Sequence, residues 1–352
     1  MFGIKTKLLL LARGGVGEHT WKNYLKRTLP EAGLFWRISH YIDFQISRIR
    51  YPGLDGRDYF IYRFYQIKHD KKKTFITEGD LKRMVIYFNG ELDDPALLQV
   101  SDKAKFNSIF KDRLGRRWIS GDEKEEDIIR FCVDCKEVFV KPENGGQGSG
   151  IRSVNIQNEN DARNLYNELR GEKYLLEARL RQHPEMAKLH PQSVNTLRLY
   201  TVCDPDRTKV KLTAAVLRIG QGDSVTDNWT AGGMAAEIDP EKGVVVSPAA
   251  DRLGKFHTIH PDTGENIVGF QIPEWDNIVK LVCESHMRLE KLRYIAWDAV
   301  VAEDGTGCLL EGNHWGGVAL QQQPGQSGKK EIYRNIIKED IGHNNSVNLN
   351  IL

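Results

Sequence analysis

The sequence predicts an α+β protein, with two α/β subdomains set behind a mainly helical N-terminal region. Three observations predict it. Residues 1–100 are rich in aromatic and basic side chains and carry few Gly or Pro breaks after Gly17, the texture of packed helices. Between Ser101 and Leu180, short apolar runs alternate with helical patterns around a glycine-rich loop. From Asn195 onward, compact apolar runs bounded by turn residues dominate, which reads as a sheet. The expected divisions are residues 1–115 for the helical region, 116–182 for a small lid and 183–352 for the larger subdomain.

Each element follows in order. Thr20–Leu29 and Leu34–Arg48 predict helices, and no GxGxxG or strand–helix alternation suggests a dinucleotide-binding unit there. The run from Lys68 to Lys73 is basic but has one aromatic residue on each flank, so it reads as a solvated loop and not as a nucleic-acid surface. Asp102–Leu114 and the stretch after the acidic run Glu123–Glu126 predict helices. Glu137–Lys141 (EVFVK), Ile151–Ile156 and Tyr174–Leu180 predict strands, and Asp161–Leu169 a helix begun by Asp161. Further strands are expected at Asn195–Cys203, Val210–Ile219, Met234–Ile238, Tyr294–Val301 and Gly307–Gly312. Helices are expected at Trp275–Lys291 and near Lys329–Glu339.

Composition narrows the function classes. With 40% hydrophobic and 28% charged residues, the 352-residue chain can bury a core. A formal net charge of +2 supplies no strong field for nucleic acid or an anionic membrane. The apolar run Leu8–Ala12 is broken by Arg13 and is too short for a signal-peptide core. No run approaches the roughly 18 apolar residues of a membrane span, so no stable membrane insertion and a cytoplasmic location are expected. The five cysteines are scattered. Cys132 and Cys135 form a lone CxxC with no second ligand pair, and plain thiols are expected.

Chemistry concentrates in three places. The first is Lys141-Pro142-Glu143-Asn144-Gly145-Gly146-Gln147-Gly148-Ser149-Gly150. Successive glycines expose backbone N–H groups that can cradle phosphate oxygens, and a strand-end lysine adds a point charge. No GK[ST] ends the loop, so it is not a Walker A loop, and a bare glycine hairpin is an equal reading of it alone.

The second place is Tyr294–Val301, apolar except for Asp298, followed by a Glu303–Gly307 turn and CLLEGN. Asp-Gly between apolar runs predicts a hairpin. Glu311 and Asn313 are two apart and share a face. A two- or four-residue loop puts Asp298 on that face, opposite Glu311 or Asn313, whereas a three-residue loop puts it opposite Gly312 on the other. Two carboxylates and an amide oxygen form a hard-oxygen set that suits Mg²⁺. A carboxylate in so apolar a strand needs a partner, a cation or an arginine.

The third place is a pair of arginines. Val210, Leu212, Ala214 and Val216 make one apolar row that ends in Arg218. Arg198 lies between Thr196 and Tyr200 on the polar face of the neighbouring strand. Guanidinium groups in such positions clamp carboxylate or phosphate, or close a structural ion pair.

In this order the pieces resemble the ATP-grasp superfamily. The segments HPQSVNTLRLYTV, DNWTAGG and AWDAVVAEDGTGCLLEGN resemble its sugar-transfer-associated branch, related to the α-L-glutamate ligases. The resemblance covers roughly residues 100–325, and residues 1–100 do not show the superfamily's usual first domain. It implies an ATP-grasp fold, with ATP and Mg²⁺ as cofactors. By the same resemblance, Lys103 and Lys141 hold the α- and β-phosphates while Gly145, Gly146, Gln147, Gly148 and Ser149 cover the γ-phosphate. Glu177 and the backbone near Leu180 contact adenine. Asp298, Glu311 and Asn313 ligate Mg²⁺, and Arg218, assisted by Arg198, steadies charge developing on an acyl phosphate.

The implied reaction joins a small carboxylate to an amine or amino-sugar acceptor through an acyl phosphate. A kinase on the same scaffold and a non-catalytic nucleotide-binding partner in polysaccharide assembly are the alternatives. No nucleic-acid partner is expected, and the oligomeric state is open. His257, His260 and His314 are candidate bases, each better read as structural or exposed.

Overall fold

The computed structural model describes residues 16–91, 94–143, 150–229, 232–252, 254–342 and 352. The first region is helical: α1 (Val16–Thr28), α2 (Leu34–Arg50), α3 (Gly56–Ile61), α4 (His69–Lys72) and α5 (Glu78–Asn89). Its aromatics, among them Trp21, Phe44, Tyr59, Phe64 and Phe75, bury one another in a cluster of their own. The expected solvated loop at 68–73 is instead a short helix. Lys72 is buried, donates to Asp43 (2.8 Å) and sets its ammonium over the Tyr59 and Phe64 rings at 5.9 and 5.6 Å, so a carboxylate and two ring faces replace water around the charge. Helix α5 starts on a Thr77–Asp80 capping box. Asp80 also meets Lys330 (2.5 Å), and Asn89 donates to the Tyr294 carbonyl (2.8 Å), tying this region to the larger sheet.

After α6 (Leu98–Ser101) and α7 (Lys103–Ile109, capped by Asp102) comes a four-stranded antiparallel sheet. Its order is β1 (Trp118–Ser120), β4 (Tyr174–Ala178), β2 (Glu137–Pro142), β3 (Arg152–Asn155), and it is covered by α8 (Glu125–Cys135) and α9 (Glu159–Glu168). Helix α9 begins at Glu159 with Asn158 as its cap. Asp161 is its third residue and closes a capping box, so the expected start is two residues late. Cys132 is a free thiol on α8, pushed up to about 11 by burial, and Cys135 is free as well.

A seven-stranded antiparallel sheet follows, in the order β11 (Gly307–Asn313), β10 (Tyr294–Val301), β5 (Leu197–Cys203), β6 (Val210–Ile219), β7 (Met234–Ile238), β8 (Ala249–Ala250), β9 (Phe256–His257). A short α10 (Pro184–Leu189) precedes it. One face carries Leu197, Leu199, Leu217, Trp297 and Leu309 against α11 (Trp275–Met287). The other carries Tyr200, Val216, Tyr294 and Ala296 against α5 and α13 (Lys330–Gly342), with α12 (Ala319–Gln322) between. Helix α11 stops four residues before the expected Lys291. His286 bonds the Leu292 carbonyl (3.0 Å), and the turn this makes drops Leu289 and Leu292 into the core.

The apolar row read along β6 is also broken. A bulge at Thr213 pairs Tyr200 with Ala214 but Thr201 with Leu212, so Leu212 joins the opposite cluster while Ala214, Val216 and Arg218 keep one face. Among the described residues no helix is long and apolar enough to cross a membrane.

Gly115 links α7 to β1 with φ +61°, and a Cβ there would lie 2.0 Å from Cys308 Sγ. Gly115→Ala is expected to lose about 2–4 kcal/mol from overpacking and backbone strain combined, measured as the shift in urea-unfolding free energy.

Candidate active site

The two sheets meet along one edge, and a register fault puts the carboxylates there. The β10–β11 turn is odd: Ala302 N–H donates to Thr306 O (2.8 Å), leaving Glu303, Asp304 and Gly305 between them. Near it Val301 pairs with Gly307 and Ala299 with Leu309. Continued, that register would set Asp298 opposite Leu310. A bulge between Asp298 and Ala299 makes Leu310 the extra residue, and Asp298 faces Glu311 instead. The juxtaposition anticipated for an even loop therefore arises from an odd loop plus a bulge.

Arg116 holds the bulge open. Its guanidinium donates to the carbonyls of Leu309 (2.7 Å) and Leu310 (3.2 Å) and, across the interface, to both oxygens of Glu177 (2.5 and 3.0 Å) on β4. Lys141 on β2 donates to the same carboxylate (2.6 Å), and Asn107 of α7 does so at 3.2 Å. Glu177 is buried. Burial alone would raise its pKa, but Arg116 and Lys141 hold it far below the usual carboxylate range. Lys103, at the start of α7, donates to the carbonyls of Pro142 (2.9 Å) and Glu143 (3.1 Å), fixing the end of β2 just before the glycine-rich stretch in the sequence. Burial lowers the Lys103 ammonium, while Glu311 and Glu177 nearby offset part of that loss.

On the larger sheet, Arg198 forms a bidentate pair with Asp298 through Nε and Nη2, and Arg218 adds Nη1 to the same carboxylate (3.1 Å). Arg218 also pairs with Asp227 (3.0 Å), which accepts the Thr196 N–H (2.8 Å). Burial would push Asp298 up, but the two guanidiniums keep it below its ordinary value. Glu311 has the opposite fate. Burial and the adjacent Asp298 carboxylate raise it, and Asn313 donates to it at 3.3 Å. Arg218 Nε is enclosed without a hydrogen-bond partner among the described residues.

The donor set fits a hard cation. Glu311 is a carboxylate short of positive charge, and Asn313 places an amide two residues on from it along β11. Asp298 is partnered by arginines, so its share in a cation site is that of a second carboxylate alongside Glu311. Beside this row lies a cavity of about 490 Å³ lined by residues from both sheets, among them Lys141, Glu177, Leu180, Thr196 and Asp227.

The structure thus brings Lys103, Lys141, Glu177, Arg198, Arg218, Asp298, Glu311 and Asn313 into one connected row, with Leu180 on the cavity wall. Gly145, Gly146, Gln147, Gly148 and Ser149 lie outside the described residues. His260 stands apart from the row, buried and bonded to the Gly220 carbonyl (2.9 Å). Two members were missed in the sequence. Arg116 sits in RLGRRW, where no periodicity tells a buried arginine from an exposed one. Asp227 had a signal, since two inward arginines and one Asp298 leave a cation to be matched.

The protein-family comparison matches residues 93–338 to the sugar-transfer associated ATP-grasp model. No curated protein matches the chain. Among solved structures, the ATP-grasp ligase PsnB, complexed with a phosphomimetic variant of its minimal precursor, Mg and ADP, is 13% identical, with a TM-score of 0.43 over 72% of this chain and 62% of that one. D-alanine-D-alanine ligase from Coxiella burnetii is 10% identical (TM-score 0.41, 70% and 59% covered), and that from Bacillus anthracis is 14% identical (TM-score 0.40, 69% and 68% covered). The chain spans less than two thirds of the PsnB and Coxiella chains. The family match extends over more than half of the 352 residues, and the chain belongs to the sugar-transfer associated ATP-grasp family.

Proposed function

We propose that the chain is an ADP-forming ligase that uses Mg·ATP to activate a small carboxylate as an acyl phosphate and passes the acyl group to an amine, an amino sugar being one acceptor of the right chemistry. The observation that carries this reading is the connected charged row bordering a 490 Å³ cavity between two sheets. In this reading the smaller sheet, within residues 116–182, and the larger one, within 183–352, are the two halves that enclose the nucleotide.

The geometry is compatible with the roles that the resemblance implies. Lys103 and Lys141 stand at the end of β2 and would hold phosphate oxygens as point charges. Glu177 and the Leu180 backbone border the cavity and would bind the base. Glu311 and Asn313, with Asp298 beside them, would hold Mg²⁺, which when bound supplies charge neutralisation to the transferring phosphoryl group. Arg198 keeps Asp298 ionised, and Arg218, which pairs with both Asp298 and Asp227, would steady charge that develops on the acyl phosphate.

Lys103→Ala is expected to weaken Mg·ATP binding about tenfold or more, the scale of one lost charge-assisted phosphate contact, read by calorimetry. ADP release that needs both a carboxylate and an amine would support the ligase. Release with a single hydroxyl substrate would replace it with a kinase.

A further inference from the structure

We infer that α2 is a docking helix that lays the protein on an anionic lipid surface. This 17-residue helix, about 25 Å long at 1.5 Å per residue, buries only one side. Phe44 and Ser47 face the aromatic core, while Leu34, Phe35, Ile38, Ile42, Ile46 and Ile49 stand between 43% and 89% exposed. At 100° per residue these six fall within one 120° arc, and the one other residue in that arc is Gln45. A continuous stripe of six large apolar side chains on a water-soluble surface marks a contact site, since scattered exposure would not align them.

Charge selects the occupant. Arg37 and Arg48 flank the arc on one side and Arg50 on the other. Lys68 and Lys71 stand exposed on the adjoining segment, which is fixed to α2 by the Lys72–Asp43 pair. Asp43, the helix's acidic residue, is engaged by Lys72 and by Tyr59. Residues 16–77 carry twelve Lys and Arg against six Asp and Glu, a net +6, while the whole chain carries +2. The modest overall charge therefore conceals a basic N-terminal region balanced by an acidic remainder.

A second copy is a poor occupant. Antiparallel pairing centred on Ile42 would set Arg37 of one helix beside Arg48 of the other, and parallel two-fold pairing would bring Arg48 of one helix toward Arg50 of the other. A bilayer with anionic headgroups accepts both features, as the apolar stripe enters the acyl boundary and the arginines remain among phosphates. This inference is independent of the ligase reading, because α2 contributes nothing to the charged row.

The test is co-sedimentation of the full chain with phosphatidylcholine vesicles, with and without about 30% phosphatidylglycerol, at low and high salt. Binding is expected to require the anionic lipid and to fall as salt rises. Ile42→Glu combined with Ile46→Glu is expected to reduce it about tenfold or more while leaving the thermal melt in place, since both side chains point to solvent. Arg48→Glu with Arg50→Glu should reduce it with the apolar stripe intact. Absence of vesicle binding, or binding undiminished in both variants, would overturn the inference. So would a dimer in sedimentation velocity that the Ile42→Glu/Ile46→Glu variant dissolves.

Discussion

Glu311→Gln is expected to abolish Mg²⁺-dependent ADP release while making the metal-free protein more stable at neutral pH. The loss should exceed about 100-fold, because even outer-shell partners of a metal ligand are worth 10- to 100-fold. The gain has a separate cause. Glu311 is raised above its ordinary value by burial and by Asp298 beside it. A carboxyl raised on folding contributes stability that is fully present below its unfolded pKa and lost as pH climbs through the folded one. Above its unfolded pKa Glu311 therefore opposes folding, and the neutral amide removes that opposition. Thermal melts across pH 4–8 check this: the wild type should lose stability relative to Glu311→Gln as pH rises. Added Mg²⁺ should stabilise the wild type and leave the variant unmoved. A structural carboxylate with no cation to meet would show no such response.

Glu177→Ala is expected to be the most destabilising single change in the site, at about 3–5 kcal/mol. It strands Arg116, whose side chain is 2% exposed, and removes the partner of Lys141. Arg116 also braces the carbonyls of Leu309 and Leu310. Losing its anchor frees the bulge that sets Asp298 opposite Glu311, and nucleotide binding should fail together with stability. Glu177→Gln keeps hydrogen-bond acceptance and should lose less. The pH dependence runs opposite to that of Glu311. A depressed carboxyl gives stability present above its unfolded pKa and lost as pH falls toward the folded one. The wild type should thus lose its advantage over Glu177→Gln as pH drops below about 4, which urea unfolding at stepped pH would measure.

What the sequence disclosed depended on how local the cause was. Val210–Ile219, Met234–Ile238 and Tyr294–Val301 match their expected bounds, because a continuous apolar run that ends in turn residues has one way to be buried. Lys103 and Glu177 were named only through the resemblance to ATP-grasp proteins. Asp298 was legible as a carboxylate out of place in an apolar strand, Glu311 and Asn313 as its neighbours across a hairpin, and Lys141 as the lysine before the glycine-rich stretch. The register that joins them was not, because it depends on the Leu310 bulge, and that bulge depends on Arg116 from another part of the chain. The break at Thr213 is of the same kind: its hydroxyl donates to the Tyr200 carbonyl (3.1 Å) and meets Tyr333 OH (3.2 Å), partners remote in sequence. Lys72 was read as solvated because its partner, Asp43, lies on a different helix. Helix α5 went unread, since its burial is decided by Tyr294 and α13 far along the chain.

We propose that this charged row binds Mg·ATP and uses it to join a carboxylate to an amine. Calorimetry of ATP with and without Mg²⁺ on the wild type and Glu311→Gln, followed by ADP release against a panel of carboxylates and amines, tests it most directly. Wild-type binding that needs Mg²⁺, its loss in the variant, and ADP release only when both substrate classes are present are the expected results. Absence of nucleotide binding by the wild type, or equal binding by the variant, would contradict it.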